Sequence, residues 1–176
     1  MTQHRSELVT AEVADVLESL RGVWDEADVD EWDHALQCAA RARDDDADDE
    51  LLLAAALHDI GHSPLLGGPG VADHSQLASR WLRPRFGERV AWLAGAHVAA
   101  KRHLAAIDAD YAAALSPVSQ DSLSEQGGAA VDPAFAAHPW HADALRLRRF
   151  DDAAKVPGAE AASLDTVLAI ARRLAR

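Results

Sequence analysis

Residues 51–64 read LLLAAALHDIGHSP. The run from Leu51 to Leu57 has no polar face at any period, so a helix built from it must be buried all round. It nonetheless ends in His58, Asp59 and His62. Burying an imidazole beside a carboxylate is costly unless something pairs with them. Three partners are available in principle: each other, another charged side chain, or a metal ion.

Ala and Leu dominate the remainder and β-branched runs are nearly absent, so the pattern predicts an all-α fold. Helices are expected at 5–21, 31–43, 48–60, 71–84, 87–106, 140–156 and 164–175, with short turns of helix at 108–115 and 132–137. A length of 176 residues suits one domain, 1–176, with room for a proper core. The acidic run DDDADDE at 44–50 reads as a solvated cap favouring the positive end of the next helix. Residues 116–139 are rich in Ser, Gly and Pro; a loop this long inside a domain is more often functional than slack.

Charge narrows the partners. Seventeen Lys and Arg stand against 29 Asp and Glu, a net −12, which disfavours nucleic acid and anionic membranes as general partners. A small anion held by a few local cations stays compatible with that balance. The lone cysteine, Cys38, excludes an internal disulfide and a Cys-rich zinc site, and suits a reducing cytoplasm. The first residues lack the apolar core of a signal peptide, and no stretch reaches the ~20 apolar residues of a membrane helix. A cytoplasmic protein is the expectation; no feature specifies an oligomeric state.

Histidines and acids recur on the other predicted helices: His34, the His58-Asp59 tandem, His74, His97 and the pair Asp151-Asp152. Any one of these histidines alone reads as a packed or surface residue. Five groups on separate apolar helices are harder to explain that way. Neighbours on a helix diverge by ~100°, so His58 and Asp59 cannot both point straight at one ion. They can flank two, with the carboxylate bridging. Imidazole with carboxylate suits iron, manganese or zinc better than copper(I) or calcium.

The order His, His-Asp, late Asp resembles the HD-domain superfamily, and two further histidines between the tandem and the late Asp mark its dimetal branch. That branch holds phosphohydrolases and mixed-valent diiron oxygenases. The resemblance implies His34, His58, Asp59, His74, His97 and Asp151 as metal ligands. Asp151 is preferred over Asp152 because FDDAAK is similar to the Phe-Asp-x-x-x-Lys segment of the oxygenases. The remaining His4, His103, His138 and His141 have no match and read as surface or packing residues.

Cations accompany three of these ligands. Lys101 follows His97 by one turn, Arg148 precedes Asp151 by three residues, and Lys155 follows it by four, which places each on its ligand's face. In an acidic chain they read as an anion pocket. The segments EWDHALQCA, LLLAAALHDIGH, HVAAKRHL, LSPVSQDSLSEQGG and LRRFDDAAKVPG, within about 24–158, resemble the HD-domain oxygenases that cleave carbon–phosphorus bonds. The resemblance implies that Lys101, Ser119, Ser122 and Arg148 surround a phosphonate, with His62 near it. His62 and Lys101 are then the catalytic candidates, Lys155 adds to substrate binding, and 116–128 is a clamp with freedom at Gln126-Gly127-Gly128.

Where that family has Tyr-x-Gly-Glu ahead of the first ligand, this chain has Trp24 for the tyrosine and Ala27 for the glutamate, among Asp25, Glu26 and Asp28. An indole cannot ligate iron. With Trp24 lining the pocket, the substituent expected on the substrate is hydrogen, as in hydroxymethylphosphonate, or a quaternary ammonium on the ring. The implied cofactors are two iron ions, Fe(II)/Fe(III), with dioxygen as co-substrate. The implied reaction converts a small 1-hydroxyphosphonate to phosphate and a carboxylic acid. Two rivals are a metal-dependent phosphohydrolase acting on a nucleotide or other phosphate monoester, and a non-catalytic module binding a phosphorylated signal.

Overall fold

Capping chemistry sets where the helices that carry the site begin. In the computed structural model, which describes residues 2–24 and 28–176, Asp30 caps α2 (Glu31–Asp44) by accepting from the backbone N–H of Asp33 at 2.9 Å. Asp48 caps α3 (Asp49–Leu57) through the N–H of Leu51, again at 2.9 Å. Such side-chain oxygens satisfy donors that a helix start leaves without partners.

The described helices run in the order α1 (Thr2–Glu18), α2, α3, a 3-10 turn (Ile60–His62), α4 (His74–Phe86), α5 (Glu88–Ile107), α6 (Ala109–Ala114), α7 (Pro117–Glu125), α8 (Pro133–Ala136), α9 (His141–Ala153) and α10 (Leu164–Leu174). The all-α expectation holds, with no strand among the described residues. No helix there is long and apolar enough to cross a membrane.

Helix α3 is the central element, since every residue from Leu51 to Leu57 is buried. It packs against α2, α5, α9 and α10, while α1 lies on α10 and α4 pairs with α5 around the turn at Gly87 (φ 92°). Three of these elements are tied at the surface by Arg89 of α5. Its guanidinium reaches Asp48 at 2.8 Å and Glu50 at 3.0 Å beside α3, and Asp143 of α9 at 2.9 Å.

Three sequence expectations are corrected. The helix expected at 48–60 stops at Leu57: His58 is its C-cap, and Asp59 (φ −102°, ψ 11°) has left helical geometry before the 3-10 turn. Gly61 lets the chain pass close to α4, because a Cβ there would lie 2.5 Å from His74 Cα and closer still to its carbonyl oxygen. The chain turns so that α4 can start against it. Residues 116–128 are mostly helix, not open loop: Ser116 caps α7, accepting from Ser119 N–H at 3.0 Å, and Pro117 occupies its first position. Helix α9 ends at Ala153, so Lys155 lies just beyond it.

Candidate metal centre and anion pocket

Four histidines converge where α2, α3, α4 and α5 meet, and each is anchored in the same way. The Nδ1 atoms of His58, His97, His74 and His34 face the backbone carbonyls of Ala55 (2.8 Å), Ala94 (2.7 Å), Val71 (3.4 Å) and Ala154 (3.1 Å). A carbonyl only accepts, so Nδ1 carries a proton and Nε2 is turned into the site. This is the orientation of a metal-ligating imidazole held by its far nitrogen.

The Nε2 atoms face carboxylates. Asp59 Oδ2 lies 2.9 Å from His58 Nε2 and 3.5 Å from His34 Nε2, while its Oδ1 lies 3.3 Å from His97 Nε2 and 3.6 Å from His74 Nε2. Asp151 completes the first side, with Oδ1 3.5 Å from His34 Nε2 and Oδ2 3.4 Å from His58 Nε2. Two carboxylate-containing sets of potential ligands result, His34–His58–Asp59–Asp151 and Asp59–His74–His97, each with ligand atoms within 4.8 Å of one another; Cys38 also groups with His34 and His58. Asp59 belongs to both.

The break after Leu57 is what permits this. Released from helical geometry, Asp59 stands in both sets while His58 stands only in the first, the arrangement a bridging carboxylate requires. Among the described residues, His58 Nε2 and Asp59 Oδ1 are buried without a hydrogen-bond partner, as atoms intended for a cation would be. Burial pushes the His97 imidazole down to about 3 in spite of Asp59, so it stays neutral. His58 goes the other way: burial opposes its charge, but Asp59 and Asp151 outweigh that and hold it well above the usual histidine range. The two carboxylates call for positive charge, which a proton on His58 supplies in part and metal ions would supply in full.

A cavity of about 400 Å³ opens on this centre, lined by Asp59, His74, His97 and Asp151 and by Lys101, Arg148 and Lys155. The three cations anticipated from helical spacing therefore share one wall. Lys101 is buried and donates to Ser122 Oγ at 2.7 Å. Burial, with Arg148 close by, pushes its ammonium down to about 8. Arg148 is buried too. Its Nη1 reaches Asp151 at 2.6 Å, and its Nε and Nη2 pair with Asp152. Lys155 Nζ stands 3.6 Å from Asp151 and 3.5 Å from Ser119 Oγ. His62 also lines the cavity, stacked on His74 with centroids 4.3 Å apart.

Two expected substrate contacts lie elsewhere. Ser122 faces the cavity, but Ser119 lines a neighbouring one, because on a helix three residues apart is close to one turn and shifts the side chain along the axis. Trp24 is 59% exposed and is absent from the cavity wall, so the structure does not bring it to the centre. Asp25, Glu26 and Ala27 lie outside the described residues.

Two neighbours of the site, Cys38 and Tyr111, were not anticipated from the sequence, and Asp152 was weighed only as the alternative to Asp151. Cys38 Sγ lies 3.6 Å from His34 Nε2, a closeness already signalled by their spacing of four on α2; burial pushes its thiol well up. Tyr111 and Asp152 stand behind Arg148, with the Tyr111 hydroxyl donating to Asp152 at 2.8 Å. No local pattern links positions 41 residues apart. His103 and His138 are packing residues, as expected: His103 is edge-on to Phe135 and His138 stacks on Trp92 at 3.6 Å.

No family model matches the chain. Curated relatives do. The hydroxymethylphosphonate dioxygenase of Gimesia maris is 41% identical over 142 residues, covering 74% of this chain and 70% of the relative. The chain belongs to the phosphonate dioxygenase family. Another member, the glycine-betaine-forming [1-hydroxy-2-(trimethylamino)ethyl]phosphonate dioxygenase of Leisingera caerulea, is 29% identical over 80% of each chain. An uncharacterized protein of Acanthamoeba polyphaga mimivirus is 30% identical over 70% of this chain and 62% of its own length. Within this family, an open cavity walled by three cations beside paired His/Asp groups is the feature that the chemistry has to explain.

Proposed function

We propose that the chain is an HD-type diiron oxygenase acting on hydroxymethylphosphonate, with the single domain 1–176 built around its metals. The observation that carries this reading is one cavity in which Asp59, shared by two sets of potential metal ligands, faces Lys101, Arg148 and Lys155. In the balanced reaction, hydroxymethylphosphonic acid and dioxygen give formic acid and phosphoric acid. The names of the two phosphonate dioxygenase relatives favour this over a phosphohydrolase.

Iron, Fe(II)/Fe(III), would be held by His34, His58, Asp59 and Asp151 on one side and Asp59, His74 and His97 on the other, and would supply dioxygen activation and a seat for the substrate hydroxyl. The chain's own residues do the rest. Lys101, Arg148 and Lys155 compensate the phosphonate charge and fix its direction, the positioning and preorganised electrostatics on which such a reaction depends. Ser122 accepts from Lys101 and donates to the Ser119 carbonyl at 3.2 Å, so it aims the ammonium and is itself held. Ser119 acts one step behind, through Lys155. His62, stacked on His74, edges the substrate space and is the candidate to hold or move a proton there.

Substrate choice follows from the wall. Among the described lining residues there is no Trp, Tyr or Phe, so a quaternary ammonium would find no aromatic face. A hydrogen substituent needs none. The test is phosphate release from hydroxymethylphosphonate by iron-loaded protein, with and without dioxygen. Release that consumes dioxygen and stops anaerobically supports the proposal. Equal phosphate release from a monoester under both conditions would replace it with the hydrolase.

A further inference from the structure

Arg148 presents five N–H bonds, as every guanidinium does. One Nη1 hydrogen goes to Asp151 Oδ2 at 2.6 Å, and Nε and Nη2 face the two oxygens of Asp152. Nε is shared with the Tyr111 hydroxyl, which accepts from it at 3.0 Å and itself donates to Asp152 Oδ2 at 2.8 Å. Among the described residues that leaves two N–H bonds, one on each terminal nitrogen, for the cavity that Arg148 lines.

The division of walls is informative. Arg148 lines the central cavity, whereas Tyr111 and Asp152 line the neighbouring one, of about 540 Å³. They therefore lie behind the guanidinium and do not share its exposure to the substrate space. Asp152 also differs in role from its neighbour Asp151, which faces His34 and His58. If Asp152 were removed, the nearest carboxylate left to Arg148 would be Asp151. The guanidinium could then satisfy itself on that group, drawing its free N–H bonds away from the cavity.

We propose that Asp152 and Tyr111 are positioning residues, which hold the side edge of Arg148 so that its remaining donors stay directed at the substrate's phosphonate oxygens. This rests on the anion-pocket reading given under Proposed function. It assigns the chain's single tyrosine to orienting a cation. In this arrangement Asp152 sets direction and charge, and the Tyr111 hydroxyl fixes Asp152 in turn.

The test uses methylphosphonate, which lacks the reacting hydroxyl, as a probe of binding to the iron-loaded protein by calorimetry. Tyr111→Phe keeps the ring and its packing and should weaken binding about 3- to 10-fold, less than a direct charged hydrogen bond because the hydroxyl acts on the anion only through Arg148. Asp152→Asn should weaken it by about tenfold or more, with Asp152→Glu recovering part of the loss. Bound iron should be unchanged in Tyr111→Phe. In an Arg148→Lys background, Tyr111→Phe should have no further effect, which a general loosening of the fold would not produce. Undiminished binding in both single variants, or a Tyr111→Phe effect that persists in the Arg148→Lys background, would overturn the proposal. A wild-type protein that binds no methylphosphonate would overturn the anion pocket as well, which separates the two failures.

Discussion

The Nε2 atoms of His74 and His97 stand 3.0 Å apart. With each Nδ1 turned to a backbone carbonyl, the two Nε2 atoms face one another beside Asp59 Oδ1, which has no hydrogen-bond partner among the described residues. A cation resolves this, and Asp59 is the one side chain common to both sets of ligands. Asp59→Ala should accordingly lower metal at both positions, leaving well under half of the wild-type iron by elemental analysis, and His58→Ala should also strip most of it. Full retention in Asp59→Ala would remove the bridging assignment.

Gly61 is required where α4 starts. Gly61→Ala forces its methyl against the His74 backbone and should cost ~1–3 kcal/mol of stability, the usual range for overpacking. His74 would move first, so the metal on its side should be lost ahead of the one held by His34 and Asp151. Thermal unfolding together with metal analysis checks both parts. An unchanged melting temperature with full metal would mean that the contact is easily relieved.

Lys101 sets a pH limit on anion binding. Its pKa, pushed down to about 8, means that the ammonium is charged below that pH and neutral above it. Only the charged form compensates a phosphonate, so affinity for methylphosphonate should fall as pH rises through about 8. Lys101→Arg should flatten the profile, since a guanidinium does not titrate there. Lys101→Ala should weaken binding by ~1.5–3 kcal/mol with iron retained, and so should Arg148→Ala. Unchanged affinity in both alanine variants would show that neither cation meets the anion.

Arg89→Ala should lower stability by roughly 1–2 kcal/mol near neutral pH, an allowance that discounts its partly exposed partners. The bond from Arg89 lowers the Asp48 pKa below its ordinary 3.8. A depressed carboxylate contributes stability above its unfolded pKa and loses it as pH falls through the folded value. The gap between wild type and Arg89→Ala should therefore narrow below about pH 4. Denaturant midpoints measured at pH 7 and pH 3 would reveal it.

Much of this centre was legible in the sequence because its parts are spaced along helices. The Leu51–Leu57 run announced a buried α3, and intervals of three and four placed Lys101 and Arg148 beside His97 and Asp151. Helix ends were less legible. Nothing in local periodicity stops α3 at Leu57, and the close approach of Gly61 to His74 that follows is a tertiary event. The Ser116-Pro117 pair was a start signal for α7 that composition alone disguised as loop. Trp24 was assigned by likeness to a motif, which carries no information about exposure. Tyr111 was illegible for a different reason: its meeting with Asp152 is made by the fold, and its position does not look unusual by itself.

The two halves of the centre are not built alike. His34, His58 and Asp151 rise from α2, α3 and α9, which form the core, whereas His74 follows residues 63–73, a largely exposed run of turns. One ion would therefore enter a seat made wholly by core helices, and the other a seat that an exposed segment helps to complete. Their exchange rates should differ accordingly, and chelation should empty the centre in two steps. The species in between, with one ion fixed and one absent, would be a resting state with its own lifetime, through which both maturation and inactivation must pass.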